Sequence, residues 1–239
     1  MSVLYSKSGM KRKLLLIYRR LYDCYGPQRW WPADEPFEIM VGAILTQSAA
    51  WGNVEKAIDN LKRAGIMSPR GLAEVPLEEL SRLVYPSGYY NAKAKKLKAL
   101  VRYIKESYGG DLTELFAQDT KELREELLAV HGVGEETADS IVLYAAGKPV
   151  FVIDAYTRRV FSRLGLCSDR ETYRNLQALF MDHLRPDPQM FNEYHALIVQ
   201  HGKATCRRRP LCSQCCLLEI SPYGQARVLS TGPEELRRS

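Results

Sequence analysis

The chain has 239 residues, 46% of them hydrophobic, which is enough for a sizeable core in one large domain or in two lobes. Its 34 basic and 28 acidic residues leave a net charge of +6, which permits a polyanionic partner without requiring one. No apolar run approaches the roughly 18 residues of a membrane span, and none forms a secretory signal core. We therefore expect a cytoplasmic protein with no membrane partner.

Basic residues are grouped in short clusters along the chain. A single cluster is typical of a solvated helix face, whereas several clusters on a net-basic chain favour a nucleic acid partner. These clusters span residues 11–13, 19–20, 93–98 and 207–209.

Helical periodicity runs through nearly the whole chain, and no alternating pattern requires a sheet. Ser68-Pro69 is typical of a helix start, and Asp119 with Glu122 resembles a capping box. We expect Phe151–Ile153 to be an extended linker and the tail from about Arg227 to be loosely held. The class is therefore all-α, with predicted helices over residues 37–45, 53–64, 91–108, 119–130, 135–146, 154–164, 173–184 and 191–203.

The most informative segment covers residues 127–139, where a helix ends at Gly132-Val133-Gly134 and another begins at once. Glycines allow a sharp turn and leave backbone N–H groups uncovered at a helix N-terminus, where an anion is favoured. A glycine-rich turn that only joins two helices is the simpler alternative. Because helices flank the turn on both sides, we predict a hairpin that binds a phosphate oxygen, with Val133 packed between the helices.

Asp154 follows the hairpin by about twenty residues and stands where a helix begins. An aspartate in this position caps a helix in most proteins. Its placement one helix beyond the hairpin shifts the balance from a cap alone towards a functional carboxylate.

These segments resemble the endonuclease III branch of the helix-hairpin-helix DNA glycosylases over roughly residues 36–223. The resemblance rests on the hairpin, Val152-Ile-Asp-Ala155, Gly88-Tyr-Tyr-Asn-Ala-Lys-Ala94 and His201-Gly-Lys203. It implies two helical lobes with a central cleft, in which double-stranded DNA binds and a damaged base is flipped out of the helix. It also implies that Asp154 is the catalytic aspartate, which stabilises an oxocarbenium-like sugar and orients or deprotonates a water.

The resemblance also implies a division of the chain into segments. Residues 1–29 form an N-terminal helix that packs with the C-terminal lobe, and residues 30–148 form a central bundle with the hairpin. The C-terminal lobe covers 149–205, a cysteine loop covers 206–221, and a tail covers 222–239. We expect a monomer.

Glu136 departs from endonuclease III, which has a nucleophilic lysine two residues after the second hairpin glycine. A glutamate cannot form a Schiff base, so we predict a monofunctional enzyme with little or no lyase activity. Glu136 is equally suited to the first turn of a helix, where the dipole favours an acid.

All three tryptophans lie between positions 30 and 51, with Trp51 expected in a turn between two helices. A tryptophan is most often part of a core, but three in one region suggest an aromatic pocket for a flipped, positively charged alkylpurine. The pattern resembles the bacterial 3-methyladenine DNA glycosylases of this superfamily. That resemblance implies a base pocket formed by Trp30, Trp31 and Trp51, with Glu136 and Lys203 near its edge.

Several polar residues have an interpretation in DNA binding and a simpler alternative. Gln47 and Ser48 would fill the gap left by the flipped base, or are ordinary polar residues at a helix end. Lys203 is a pocket residue, or a surface lysine that contacts phosphate. Arg207 and Arg208 are predicted to contact phosphates, with binding that weakens as salt rises.

Four cysteines crowd into eleven positions near the C-terminus, which disulfides do not explain in a reducing compartment. Cys206, Cys212 and Cys215 resemble the iron–sulfur loop of endonuclease III, whose fourth ligand position is occupied here by Ser221. Three alternatives stay open: a three-cysteine 4Fe-4S site with an unusual fourth ligand, a rearranged site that uses Cys216, or a remnant without metal. Zinc is a further alternative.

Three functions are compatible with these features. The first is a monofunctional alkylpurine glycosylase. The second is an endonuclease III-type glycosylase and lyase, or a mismatch glycosylase. The third is a DNA-lesion-binding protein without catalytic activity, against which Asp154 counts.

Overall fold

A computed structural model describes residues 6–230 of the chain. Within this range the regular structure is entirely helical, which confirms the all-α class. None of these helices is both long enough and apolar enough to span a bilayer. The α-helices are α1 Lys7–Tyr25, α2 Pro36–Leu45, α3 Trp51–Arg63, α4 Pro69–Glu74, α5 Leu77–Leu83, α6 Tyr90–Tyr108, α7 Leu112–Ala117, α8 Thr120–Ala129, α9 Glu135–Ser140, α10 Ala155–Arg163, α11 Tyr173–Met181, α12 Pro188–Ala204 and α13 Pro222–Ser230.

The described residues divide into two compact units. The continuous unit is Trp31–Val150 and contains α2 to α9. The split unit combines residues 6–30 with residues 151–230 and contains α1 and α10 to α13. The finer segments expected from the sequence stay predictions.

Helix α2 is the centre of the continuous unit, because nearly all of its residues are buried. A helix that is apolar on all sides must be surrounded by others, and α2 contacts α3, α6 and α9. Its one buried charge, Glu38, is 4% exposed and forms an ion pair with Lys62 at 2.8 Å. The segment between α2 and α3 is therefore held on a rigid support.

The split unit has an aromatic core. Phe151 and Phe180 stack with ring centroids 3.7 Å apart, and Phe161, Phe191 and Tyr194 are also fully buried. Burying one such side chain stabilises a fold by about 1.5–3 kcal/mol. The Tyr194 hydroxyl donates to the Leu14 carbonyl at 2.9 Å and so links α12 to α1.

Local signals in the sequence are confirmed at several helix ends. Ser68 and Asp119 cap α4 and α8 through their side chains, and α6 ends at Gly109 with φ 59°. Phe151–Ile153 has no regular secondary structure and is buried, so the expectation that it is extended stays a prediction.

Four points differ from the expectations. Helix α7 is an additional element, and the predicted helix 135–146 changes to a π-helical turn at Ile141–Ala145. Trp51 is the first residue of α3 and does not lie in a turn. The tail is helical through Ser230 because α13 packs against α10. The expectation for 231–239 lies outside the described residues.

Candidate active site and nucleic-acid interface

The hairpin of the continuous unit joins α8 to α9 through Gly132, Val133 and Gly134. Gly132 has φ +84°, a backbone conformation that favours glycine, and Val133 is 6% exposed. A Cβ atom on Gly132 would lie 2.3 Å from Cγ of Lys96, whereas one on Gly134 would meet nothing within 4 Å. The turn therefore packs tightly on the side of α6 and is open at the start of α9.

Gln47 lies against this hairpin. Its Nε2 donates to the Gly132 carbonyl at 3.1 Å and to Thr137 Oγ1 at 2.9 Å, and its Oε1 accepts from Lys96. The structure thus brings together residues that are 85 positions apart in the sequence. Ser48 beside it is exposed and has φ 51°.

An aromatic cluster occupies another part of the same unit. The Trp31 and Trp51 rings meet edge to face with centroids 5.5 Å apart. The centroid of the Tyr144 ring is also 5.5 Å from that of Trp31. Gly42 makes room for this arrangement, since a Cβ there would lie 2.8 Å from Cζ2 of Trp31. Both tryptophans are half-buried. Two of the three predicted pocket tryptophans are therefore neighbours, while Trp30 belongs to the split unit.

Two aromatic residues of this unit were missed by the sequence reasoning. Tyr144 follows the hairpin on the π-helical turn, and its only signal is an aromatic within an apolar run. Tyr89 is 75% exposed and has φ 45°, directly before the basic helix α6. Its signal in the sequence is the pair Tyr89-Tyr90 behind a glycine.

Asp154 lies in the split unit and caps α10. Its Oδ1 accepts from the Thr157 backbone N–H at 2.7 Å and from the Thr157 hydroxyl at 2.9 Å. Its Oδ2 lies 3.8 Å from Nε2 of His195 on α12, and the Asp154 side chain is 12% exposed. The predicted helix-cap role is confirmed, and the carboxylate is held in one orientation.

His195 was also missed by the sequence reasoning, because nothing in the linear pattern links it to Asp154. Burial lowers its pKa below the usual 6.5, and the nearby Asp154 carboxylate opposes this shift only in part. The imidazole is therefore neutral at pH 7. A neutral histidine is not a cationic partner for the Asp154 carboxylate.

The other predicted residues are at the surface. Glu136 is exposed in the first turn of α9, and Lys203 is exposed in the last turn of α12. Arg207 and Arg208 have exposed side chains, while their backbone carbonyls accept from Arg163 at 2.7 and 3.2 Å. The loop backbone is thus fixed and its guanidinium groups are free to reach a ligand.

Two cysteines of the loop, Cys206 and Cys215, have hydrogen-bond donors at their sulfur atoms. Arg163 donates to Cys206 Sγ at 3.2 Å and the Leu217 N–H to Cys215 Sγ at 3.4 Å. Burial raises the pKa of the Cys212 thiol, and that of Cys215 to about 11, so both thiols are protonated at neutral pH.

The fourth ligand of a four-thiolate cluster is missing from this loop. The Ser221 hydroxyl already donates to the Arg163 carbonyl at 3.2 Å and accepts from the Gly224 N–H at 3.1 Å. The Cys216 thiol lies against Cys24 of α1, and burial, followed by this contact, raises its pKa to about 12. Over residues 6–230, no three His, Cys, Asp or Glu side chains are arranged to hold a metal ion. The residues present do not fit a four-thiolate cluster, and we assign no step of a reaction to one.

Comparison with known proteins places this geometry in a family. The pattern of the HhH-GPD superfamily base excision DNA repair protein matches residues 41–186. A putative DNA repair glycosylase of Methanocaldococcus jannaschii is 47% identical over 207 residues, which cover 85% of this chain and 93% of the relative. Endonuclease III of Bacillus subtilis is 31% identical over 195 residues, which cover 81% of this chain and 84% of the relative.

A solved structure gives the same result. The 3-methyladenine DNA glycosylase of H. pylori, bound to 1,N6-ethenoadenine, is similar with a TM-score of 0.69 and 29% identity. The similarity covers 83% of this chain and 98% of that one. The chain therefore belongs to the HhH-GPD superfamily of base excision DNA repair proteins, the superfamily of the DNA glycosylases that it resembles.

Proposed function

We propose that this protein is a monofunctional DNA glycosylase that removes an alkylated purine, such as 3-methyladenine, from double-stranded DNA. The observation that carries the proposal is the cluster of Trp31, Trp51 and Tyr144 in the continuous unit. An electron-rich ring attracts a cation over its face, and N-alkylation gives a purine a positive charge. A half-buried indole pair therefore suits a flipped, positively charged purine better than it suits an uncharged oxidised pyrimidine.

The chemistry assigned to Asp154 is hydrolysis of the N-glycosidic bond. The alkylated base departs with the electron pair of that bond and becomes neutral, so it needs no strong general acid. The sugar becomes an oxocarbenium-like cation, which the carboxylate stabilises. Water then adds to the anomeric carbon and its proton passes to the carboxylate of Asp154.

His195 supports this role through its charge state. Because its pKa is lowered by burial, it does not form a full ion pair with Asp154 at neutral pH. The carboxylate keeps its charge for the developing cation, while Thr157 holds Oδ1 in place. Asp154 is thus oriented without being neutralised.

The proposed absence of lyase activity rests on Glu136. This residue is exposed at the position where endonuclease III carries its nucleophilic lysine, and a carboxylate cannot form an imine. Roles for Glu136, Trp30 and Lys203 at the edge of the base pocket stay predictions.

DNA binding is assigned to both units. In the continuous unit we assign it to Gln47, Ser48 and the hairpin Gly132–Gly134, whose open side lies at the start of α9. In the split unit we assign phosphate contacts to Arg207 and Arg208.

An endonuclease III-type activity is the second candidate, because a relative of that name is 31% identical over most of the chain. A panel of duplexes that carry 3-methyladenine, uracil, thymine glycol or a mismatch separates the two. We expect release of 3-methyladenine, strand cleavage only after alkali, and no covalent adduct with borohydride. Efficient borohydride trapping, or preference for thymine glycol, would overturn the proposal.

A matched pair of variants tests the aromatic pocket within the same panel. Trp51→Ala should reduce 3-methyladenine excision at least about tenfold while DNA binding changes little, because the proposed pocket contacts the flipped base and not the DNA backbone. Trp51→Phe keeps a ring and should retain most activity. Equal loss of excision and binding in Trp51→Ala would contradict a base pocket.

An iron–sulfur cluster in the cysteine loop stays a prediction, and the proposed reaction does not need one. Iron and labile sulfide analysis of the purified protein, with Cys212→Ser as the comparison, checks it. Four irons in the wild type, lost in Cys212→Ser, would show that the loop holds a cluster although its fourth ligand position is Ser221.

A further inference from the structure

A buried lysine connects two turns of the continuous unit. Lys93 of α6 is 1% exposed, and its Nζ donates to the Leu45 carbonyl at 2.8 Å and to the Ser87 carbonyl at 2.6 Å. Leu45 is the last residue of α2, two positions before Gln47. Ser87 ends a short 3-10 helix, two positions before Tyr89. One ammonium group therefore holds the ends of two elements together.

The two turns that follow these carbonyls share an unusual conformation. Among residues 6–230, three residues other than glycine have positive φ, namely Arg29, Ser48 and Tyr89. Ser48 and Tyr89 are the ones that follow the Lys93 contacts, and both side chains are exposed. Left-handed backbone at such residues costs of order 1 kcal/mol and persists where the surroundings enforce it.

The placement of this ammonium group is costly, which argues against an accidental contact. Burial and, to a smaller extent, the neighbouring Lys96 lower the pKa of Lys93 to about 8. Carbonyls at helix ends carry partial negative charge and offset part of that cost. The same helix provides a comparison, because Lys98 also binds two carbonyls, those of Ala73 and Val75 at the end of α4. Lys98 has the same chemistry but holds neither turn.

We propose that Lys93 is a positioning residue that fixes the turn at Gln47 and Ser48 and the turn at Tyr89 as one preformed DNA-contacting surface. The inference rests on the proposed function to the extent that both turns must contact DNA. It adds Tyr89 as a contact residue, since its ring is 75% exposed beside the basic helix α6. An exposed aromatic next to lysines is suited to stacking on an unpaired base.

Preformed turns lower the cost of binding. If Lys93 is removed, both turns must be ordered when DNA binds, and immobilising flexible groups weakens affinity. The step on the bound substrate does not involve these turns. We therefore expect the effect in the dissociation constant for DNA and only a small effect on the rate of base release at saturating enzyme.

The test compares Lys93→Met with Lys98→Met on a duplex that carries a tetrahydrofuran abasic analogue. Lys93→Met should raise the dissociation constant about tenfold, and Lys98→Met by less than about threefold, at similar melting temperatures. Equal effects of the two variants on affinity would overturn the proposal.

A double-mutant cycle separates positioning from general stability. Tyr89→Ala should weaken binding about tenfold in the wild type and in Lys98→Met, but by less than about threefold in Lys93→Met, because the ring is already misplaced there. Additive effects in Lys93→Met, or no effect of Tyr89→Ala in the wild type, would refute the inference.

Hydrogen exchange of the free wild-type protein gives a measurement that does not depend on how a variant folds. The amides of Ala49 and Gly88 donate to Thr46 and Tyr85 carbonyls at 3.1 Å each, and they should be protected before DNA is added. Exchange at the rate of an unstructured peptide would show that the turns are not preformed. Failure of alkylpurine excision with normal abasic-site binding would refute the proposed substrate and leave this inference intact.

Discussion

Two helix N-termini, one in each unit, solve the same problem in different ways. Helix α9 begins after Gly134, and within the described chain no side chain caps its first turn. Helix α10 begins after Asp154, whose Oδ1 accepts from the Thr157 N–H. The first turn of any helix has N–H groups without partners inside the helix. The N-terminus of α9, the open start, leaves these N–H groups available to a ligand. The N-terminus of α10, the closed start, uses the Asp154 carboxylate as an acceptor for one of them.

In the proposed function this difference corresponds to a division between DNA binding and catalysis. An open start can receive an external anion such as a phosphate, and a Cβ on Gly134 would meet nothing within 4 Å, so the approach on that side is clear. A closed start uses one carboxylate oxygen for the cap and keeps the second oxygen, Oδ2, beside His195. We infer that the helix cap at Asp154 serves to orient a reactive group, while the missing cap at Gly134 serves to hold DNA.

The largest expected effect comes from changing the reactive oxygen without losing the cap. Asp154→Asn can still accept from Thr157, so stability should change by less than about 1 kcal/mol. The amide cannot stabilise a cation or accept a proton, so kcat should fall about 10³-fold or more while DNA affinity is retained. Single-turnover excision and a binding titration measure the two quantities.

Asp187→Asn is the matched control, because Asp187 caps α12 in the same unit by accepting from the Met190 N–H at 3.0 Å. It should leave kcat unchanged. Retained excision in Asp154→Asn would mean that the closed start is only a cap, and lost binding would mean that it is part of the DNA interface.

The next effect comes from straining the hairpin turn that precedes the open start. Gly132→Ala forces a side chain into φ +84° and into contact with Lys96, which should cost about 1–3 kcal/mol and weaken DNA binding about tenfold. Gly147→Ala is the control, since Gly147 has φ +64° with nothing within 4 Å of the added carbon. It should lose about 1 kcal/mol of stability with unchanged affinity. Similar affinity losses in both variants would argue against the hairpin as a phosphate site.

A smaller effect should appear in the dependence of stability on pH near the closed start. The pKa of His195 is below 6.5 in the folded protein because of burial, so the unfolded chain takes up this proton at a higher pH. The contribution of neutral His195 to the free energy of unfolding is fully present above about pH 6.5. It decreases as the pH falls towards the pKa of His195 in the folded protein. The urea concentration at the unfolding midpoint should therefore be lower at about pH 5.5 than at about pH 7.5. This difference should be smaller in His195→Gln. The exposed His131→Gln should keep the wild-type slope, and an equal slope in all three proteins would contradict the assignment.

The smallest effect concerns phosphate contacts made by side chains. Arg207→Ala or Arg208→Ala should each weaken DNA binding by a small factor. Each should also reduce the slope of log Kd against log salt concentration by about 1. Arg70→Ala on α4, an equally exposed arginine paired with Glu74, should leave the slope unchanged. An unchanged slope in the loop variants would remove these arginines from the interface.

Much of the fold could be predicted from the sequence because its signals are local. Caps such as Ser68 and Asp119 and the glycine after α6 act within one turn of the chain. Helix α7 was missed because it has six residues and buries a single leucine, Leu115. The helical tail was missed because α13 is stabilised by packing on α10, which a local pattern does not reveal.

The candidate site divides in the same way. The hairpin glycines and the cap at Asp154 are each local signals, made by residues within a few positions of one another, and could therefore be found in the sequence. The contacts of Gln47 with Gly132, of Asp154 with His195 and of Trp31 with Tyr144 each depend on tertiary packing. Lys93 belongs to a cluster that looks like a solvated basic face, and only its burial distinguishes it from its neighbours.

The order of the two units along the chain has a consequence for synthesis on the ribosome. Helix α1 emerges first with Leu14, Ile17 and Leu21 on its apolar face, but its partner α12 is translated only after the whole continuous unit. The nascent chain therefore carries an uncovered apolar stripe while residues 31–150 fold. A chaperone that binds short apolar segments would have its longest opportunity there, and the bond from Tyr194 to Leu14 would be among the last to form.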